Sequence, residues 1–182
     1  MELADTPLDA LTGLPGYTSF VEEFSAGIAE DESSPVALIL FDIDGFGKVN
    51  DARGRTGGDA TISALGRYLA ENAPDGARVY RYGGDAFMIL LPGTEKEQAF
   101  LVGESFRAEI ETGKVVGVEE RAVQSKITVS CGVAAYPDDG NQVQGLLRKV
   151  CEALYRAKVS GRNKVALARE EKMVTKTVHY TQ

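Results

Sequence analysis

Two acidic motifs stand where strand-like runs stop. Asp42 ends the apolar run Val36-Ala37-Leu38-Ile39-Leu40-Phe41, and Asp85 follows the double glycine in Arg81-Tyr82-Gly83-Gly84-Asp85-Ala86-Phe87. A carboxylate at the end of a buried strand is held rigidly yet can face solvent. Backbone carbonyls of the next turn can add hard oxygen ligands, which suit Mg²⁺ sharing its shell with phosphate and water. If the two strands are neighbours, Asp42 and Asp85 converge, and such a pair can hold metal for an in-line attack on phosphorus. Gly83 and Gly84 leave room for a nucleotide to approach the backbone. Alone, Asp42-Ile43-Asp44-Gly45 reads more simply as a turn, and the double glycine as an ordinary hairpin tip.

Other candidates follow in order. The segment 46–59 reads as a loop whose N–H groups, around Phe46, Gly47 and Lys48, could meet phosphates. Asn50 and Asp59 can read a base, and an Asp accepts from the N1–H and 2-amino groups of guanine; Asp59 could equally be a first-turn helix acid. Lys158 and Arg162, four apart at the end of a helix, offer a point charge and a planar fork to terminal phosphates. They could also serve only the helix C-terminus and solvent.

The elements that must position these residues are legible from periodicity. The run 36–41 is a central strand buried on both faces. Residues 78–82 and 85–91 read as strands joined by Gly83-Gly84. A further strand is expected over 127–135, with shorter ones at 114–118 and 165–167. Helices are expected around Phe20–Ile28, over 57–72, from Phe100 to Ile110, and from Leu146 to about Lys158. Leu11-Thr12-Gly13-Leu14-Pro15-Gly16 is a tight turn. The order βα(ββ)αβαβ predicts an α+β sandwich with a mainly antiparallel central sheet covered by helices. The chain divides into an entry segment 1–7, a domain 8–168 and a polar tail 169–182.

Bulk properties narrow the function classes. The chain has 182 residues, 43% hydrophobic and 26% charged, which suits one globular domain. Its formal charge of −7 argues against sequence-independent binding to nucleic acid or anionic lipid. Cys131 and Cys151 lack metal-ligand spacing, and the lone His179 lies in the tail, so a zinc site or His triad has no support. The longest apolar run is too short for a bilayer and no signal peptide is visible, so the expectation is cytoplasmic.

Taken together, these residues resemble the GGDEF family of diguanylate cyclases, over about residues 8–165. The match includes Asp9-Ala10-Leu11-Thr12-Gly13-Leu14-Pro15, Phe41-Asp42-Ile43-Asp44-Gly45-Phe46, Asn50-Asp51, Gly58-Asp59, the hairpin, Thr128–Ala134, Ala153–Lys158 and Gly161-Arg162-Asn163. The resemblance implies a nucleotidyl-cyclase or palm-like fold and condensation of two GTP into cyclic di-GMP by a homodimer with Mg²⁺ or Mn²⁺. It assigns metal to Asp42, Asp85 and the Ile43 carbonyl. It assigns guanine to Asn50 and Asp59, and phosphates to Phe46, Gly47, Lys48, Lys158 and Arg162, beside Gly83 and Gly84.

Four positions depart from the family pattern. Ala86 replaces a Glu of the signature, Gly47 replaces a Lys, Arg55 stands in place of His, and Pro74-Asp75-Gly76-Ala77 replaces the inhibitory R-x-x-D motif. The missing carboxylate leaves two readings in play: an active or weakened cyclase, and a degenerate domain that binds GTP and signals through a regulatory protein partner. A cyclase making another cyclic nucleotide is the third.

Overall fold

A computed structural model describes residues 8–30, 33–113, 115 and 126–169. The entry segment, the strand expected over 114–118 (apart from Val115) and the tail from 170, with His179, lie outside the described residues.

Strand β1 (Val36–Ile43) is the centre of a five-stranded sheet. It is flanked by β3 (Ala86–Pro92) and β4 (Val129–Tyr136), both antiparallel to it. β2 (Arg78–Gly83) pairs antiparallel with β3, and β5 (Val165–Leu167) runs parallel to β4, giving the order β2-β3-β1-β4-β5. Every residue from Val36 to Phe41 is buried because both faces of the sheet are covered. Alternation sends Ile39, Phe41, Phe87 and Ile89 to one face, where they meet Leu65 and Leu69 of α2 (Phe46–Asn72) and Phe106 and Ile110 of α3 (Lys96–Glu111). Leu38, Leu40, Met88 and Leu90 point the other way, toward Phe20 and Phe24 of α1 (Tyr17–Glu30) and Leu146, Val150 and Leu154 of α4 (Val143–Val159). The α+β architecture is thus the expected one.

Two local expectations are corrected. The segment 46–59 is not a loop: helix begins at Phe46, directly after Gly45 in a left-handed conformation (φ 65°), and breaks at Gly54 (φ 69°) before continuing to Asn72. Phe46 and Val49 pack against the core, and that burial outweighs a sequence with little apolar periodicity. The hairpin turn is also displaced. Gly83 pairs with Ala86, so the turn residues are Gly84 (φ 57°) and Asp85, and β3 starts one residue later than expected. A register shift between Arg81 and Gly83 accounts for the difference.

The feature that sets the site is the seating of α4 on the sheet. A Cβ on Gly132 would lie 2.2 Å from the Val150 carbonyl oxygen and 2.5 Å from the Leu154 nitrogen, so helix backbone rests directly on β4 there. Gly132 pairs with Leu40. One helical turn beyond Leu154, a rise of about 6 Å, comes Lys158. Two strand residues beyond Leu40, about 6.6 Å, comes Asp42. The two motifs are brought together by that one close approach. Among the described residues, no helix is long and apolar enough to cross a membrane.

Candidate active site

Asp42 is opposite Ala86 on one side and Ser130 on the other. Its Oδ1 is buried and receives no hydrogen bond of good geometry; the Lys158 Nζ meets it as an ion pair at 2.5 Å. Burial pushes the Asp42 carboxyl above the usual carboxylate range. Contact with Lys158 pulls it down, and the charges of Asp85 and Asp44 push it up again. Asp42 and Asp85, far apart in sequence, therefore share one electrostatic neighbourhood. Asp85 is half-buried at the hairpin tip, while Gly83 and Gly84 are exposed with open space where side chains would stand.

The N-terminus of α2 lies just past the end of β1. The first N–H groups of a helix have no partner within it. The Lys48 N–H bonds the Gly45 carbonyl at 2.8 Å, so Phe46 and Gly47 are the better placed amides, and they come from a helix terminus and not the expected loop. Gly47 and the Lys48 side chain are exposed. Asn50 lies across the Gly54 break against Gly58: a Cβ at Gly58 would fall 1.9 Å from the Asn50 Oδ1. That contact puts Asn50 beside Asp59, which is exposed.

Arg162 lies outside α4, in a left-handed turn (φ 62°) with its N–H on the Ala157 carbonyl at 3.1 Å. It too is exposed. The Ile43 residue closes β1, opposite Val129.

Two residues that carry the site escaped the sequence reading. Arg81 stacks over Phe87 at 5.0 Å, with its Nε and Nη1 buried and lacking hydrogen bonds. Desolvation lowers its pKa against the opposing pull of Asp9, Asp85 and Asp59, so it links the hairpin carboxylate electrostatically to the candidate base reader. Its position two residues before Gly83 was the available signal. Asp44 was set aside as a turn former; it accepts hydrogen bonds from Thr128, Ser130 and the Asn163 backbone. Its period-two spacing from Asp42 was the clue.

Comparisons with known proteins bear on the family and the fold. The family model described as "Diguanylate cyclase, GGDEF domain" matches residues 6–164. The diguanylate cyclase DgcM of Escherichia coli K12 is 36% identical over 167 residues, covering 88% of this chain and 38% of that protein. The GGDEF domain of DgcB from Caulobacter crescentus, solved in complex with c-di-GMP, is 27% identical with a TM-score of 0.81, covering 93% of this chain and 97% of that one. Diguanylate cyclase SiaD from Pseudomonas aeruginosa, solved with its activator SiaC, is 28% identical with a TM-score of 0.80, over 88% of this chain and 61% of that one. The chain spans between 36% and 56% of the length of the first curated relatives it matches.

Proposed function

Because the chain belongs to the GGDEF family of diguanylate cyclases, we propose that its domain, residues 8–168, binds GTP with a divalent metal and, as a dimer, condenses two GTP into cyclic di-GMP. The observation that carries this is the convergence at one end of β1: Asp42 in contact with Lys158, and Asp85 close enough for its charge to be felt.

The residues fit a divalent ion. Asp42 Oδ1 is a buried anionic oxygen whose close partner is the Lys158 ammonium, a place that suits a cation. Among the described residues no group of three or more His, Cys, Asp or Glu is arranged for metal. Two carboxylates and the Ile43 carbonyl would therefore hold the ion incompletely, leaving positions for phosphate oxygens and water, as Mg²⁺ prefers. Such an ion neutralises phosphate charge and eases attack at the α-phosphorus.

The remaining work falls to the chain. Asn50 and Asp59 hold the guanine edge. Phe46 and Gly47 offer amides to phosphate, with Lys48 adding charge. Lys158 exchanges Asp42 for the terminal phosphates as nucleotide enters, and Arg162 grips them with its planar fork. In the dimer, each 3′-hydroxyl loses its proton to solvent as its oxygen bonds the α-phosphorus of the facing GTP; the bond from that phosphorus to the bridging β-phosphate oxygen breaks, and pyrophosphate leaves with the electron pair. Two such steps close the ring. Catalysis here is positioning plus charge neutralisation.

One observation favours a second reading. Ala86 stands directly across from Asp42, so a signature carboxylate at that position would have stood beside the proposed metal ligand. A domain that binds GTP and acts through a protein partner fits that loss, and a related cyclase is solved with an activator protein.

Incubating the purified chain with GTP and Mg²⁺ and separating the products by chromatography decides between them. Cyclic di-GMP is the expected product. Tight GTP binding by a dimer without product would support the regulatory reading. Absence of guanine nucleotide binding by calorimetry would end both.

A narrower result concerns Gly58. In Gly58→Ala the new methyl must displace the Asn50 carboxamide. The preference for GTP over ATP, measured by calorimetric titration, is expected to fall about tenfold, because a hydrogen-bonding base site loses one of its fixed groups. An unchanged preference would separate Asn50 from base recognition.

A further inference from the structure

We infer that Asp44 is a positioning residue that fixes the turn carrying Arg162, and so sets the affinity for the terminal phosphates without touching metal or nucleotide. This rests on the GTP-binding reading above.

The case begins with how fully Asp44 is used. Its Oδ1 accepts from the Ser130 hydroxyl at 2.6 Å. Its Oδ2 accepts from the Thr128 hydroxyl at 2.8 Å and from the Asn163 N–H at 2.9 Å. Its own N–H bonds the Thr128 carbonyl at 2.9 Å. A carboxylate with both oxygens committed to three donors is poorly available to a further cation, whereas the buried Oδ1 of Asp42, two residues earlier, already faces one, the Lys158 ammonium.

The turn that Asp44 holds needs holding. Arg162 and Asn163 are both left-handed, at φ 62° and 46°, a conformation that non-glycine residues adopt only when the surroundings enforce it. Three contacts enforce it at Asn163. The backbone N–H goes to Asp44, the side-chain oxygen accepts from Arg107 at 3.1 Å, and the side-chain amide donates to Glu111 at 2.8 Å. Only the first ties the turn to β1, the strand that carries Asp42. One strand thus fixes two things: Asp42 directly, and the placement of Arg162 through Asp44. That bond holds the turn to the end of β1, beside the Arg162 N–H bond that holds it to α4.

The isosteric variant Asp44→Asn tests this. It keeps the shape and removes the charge: one neutral oxygen is left to accept from Thr128 and the Asn163 N–H, the amide donates to the Ser130 hydroxyl, and the bond to Asn163 loses its charge assistance. GTP and GMP are titrated calorimetrically against the full chain with Mg²⁺, and Mn²⁺ alone is titrated by electron paramagnetic resonance. GTP affinity is expected to fall about fivefold, the difference between a charge-assisted and a neutral hydrogen bond. GMP affinity is expected to hold, and Mn²⁺ affinity to fall by less than that for GTP, since the Asp44 charge is felt at Asp42. Arg162→Ala should show the same selectivity, and the double variant should lose little more than either single one, because both act on one contact. If Asp44→Asn does not fold, Ser130→Ala, which removes the 2.6 Å bond to Oδ1, should produce a smaller loss with the same GTP-only selectivity.

Equal losses for GTP and GMP, a loss of Mn²⁺ affinity as large as that for GTP, or additivity with Arg162→Ala would each overturn the inference. No GTP binding by the wild-type chain would overturn the parent reading and this one with it. Wild-type GTP binding together with any of the three contrary results would overturn this one alone.

Discussion

Asp42→Asn is expected to abolish metal-dependent condensation of GTP while making the metal-free protein more stable. The two effects have one cause. Asp42 is only 15% exposed, and its Oδ1 has no hydrogen-bond donor of good geometry. Burial raises its pKa, so the folded state favours the uncharged carboxyl more than the unfolded chain does. For an acid that sign means ionised Asp42 weakens the fold at neutral pH, and the cost sets in as pH rises past the unfolded value. Asn carries no charge to desolvate, and its side-chain oxygen can still face Lys158. Relief of such a site is typically about 1 kcal/mol, which for a chain of this size is about 2–4 °C in Tm. Activity should drop about a hundredfold or more, since one of two carboxylates able to hold the ion is gone. Calorimetric melting without metal, alongside product chromatography, checks both halves. A lower Tm would show that the ion pair with Lys158 outweighs the desolvation of the carboxylate.

That stability cost is invisible in the sequence, and the reason separates what was legible from what was not. Val36–Phe41 reads as a strand covered on both faces because every residue is apolar, and the structure buries every one. Placing Asp42 at the end of that strand follows at once. The pairing of β1 with β3 also brings the hairpin alongside, as the two-carboxylate reading required. The contact between Asp42 and Lys158 could not be read in the same way. It depends on Gly132 letting the α4 backbone rest on β4, a non-local event with no periodic signature.

The first turns of α2 were missed for a related reason. Between Phe46 and Arg55 only Phe46 and Val49 are large and apolar, so no stripe marks a helix, and tertiary burial decides. The hairpin was misplaced by one residue because a bulge between Arg81 and Gly83 leaves no trace in composition. Asp44 shows the subtler failure. Its residue type suits a metal ligand, a turn former or an anchor equally well, and only the identity of its three donors separates these. Side-chain chemistry was legible wherever one strand or helix sufficed to place it, and illegible wherever two elements had to meet.

Ala86→Glu is expected to lower the stability of the metal-free protein, recover it with metal, and raise product formation by about tenfold or more. Ala86 is 8% exposed and packs with Phe20, Leu40, Tyr80 and Leu154. It is directly opposite Asp42, so the two side chains share a face with their Cβ atoms about 5 Å apart. A Glu there adds a second buried negative charge beside one already disfavoured by burial and by Asp85. Lys158 can offset one carboxylate and not two. Leaving a buried charge short of a partner costs about 2 kcal/mol or more, which lowers Tm by about 4–8 °C in a chain of this length. With Asp85, the same pair makes a better ligand set than Asp42 and Asp85 without it. Divalent metal at a hundred times its dissociation constant returns about 2.7 kcal/mol, enough to restore the lost stability. Melting curves with and without Mg²⁺, read beside chromatography of the GTP products, separate the possibilities. A variant that regains stability with metal yet makes no more product places the defect beyond the metal site, at Gly47 or in the dimer. A variant indifferent to metal would show that the carboxylate at position 86 cannot reach the site Asp42 faces.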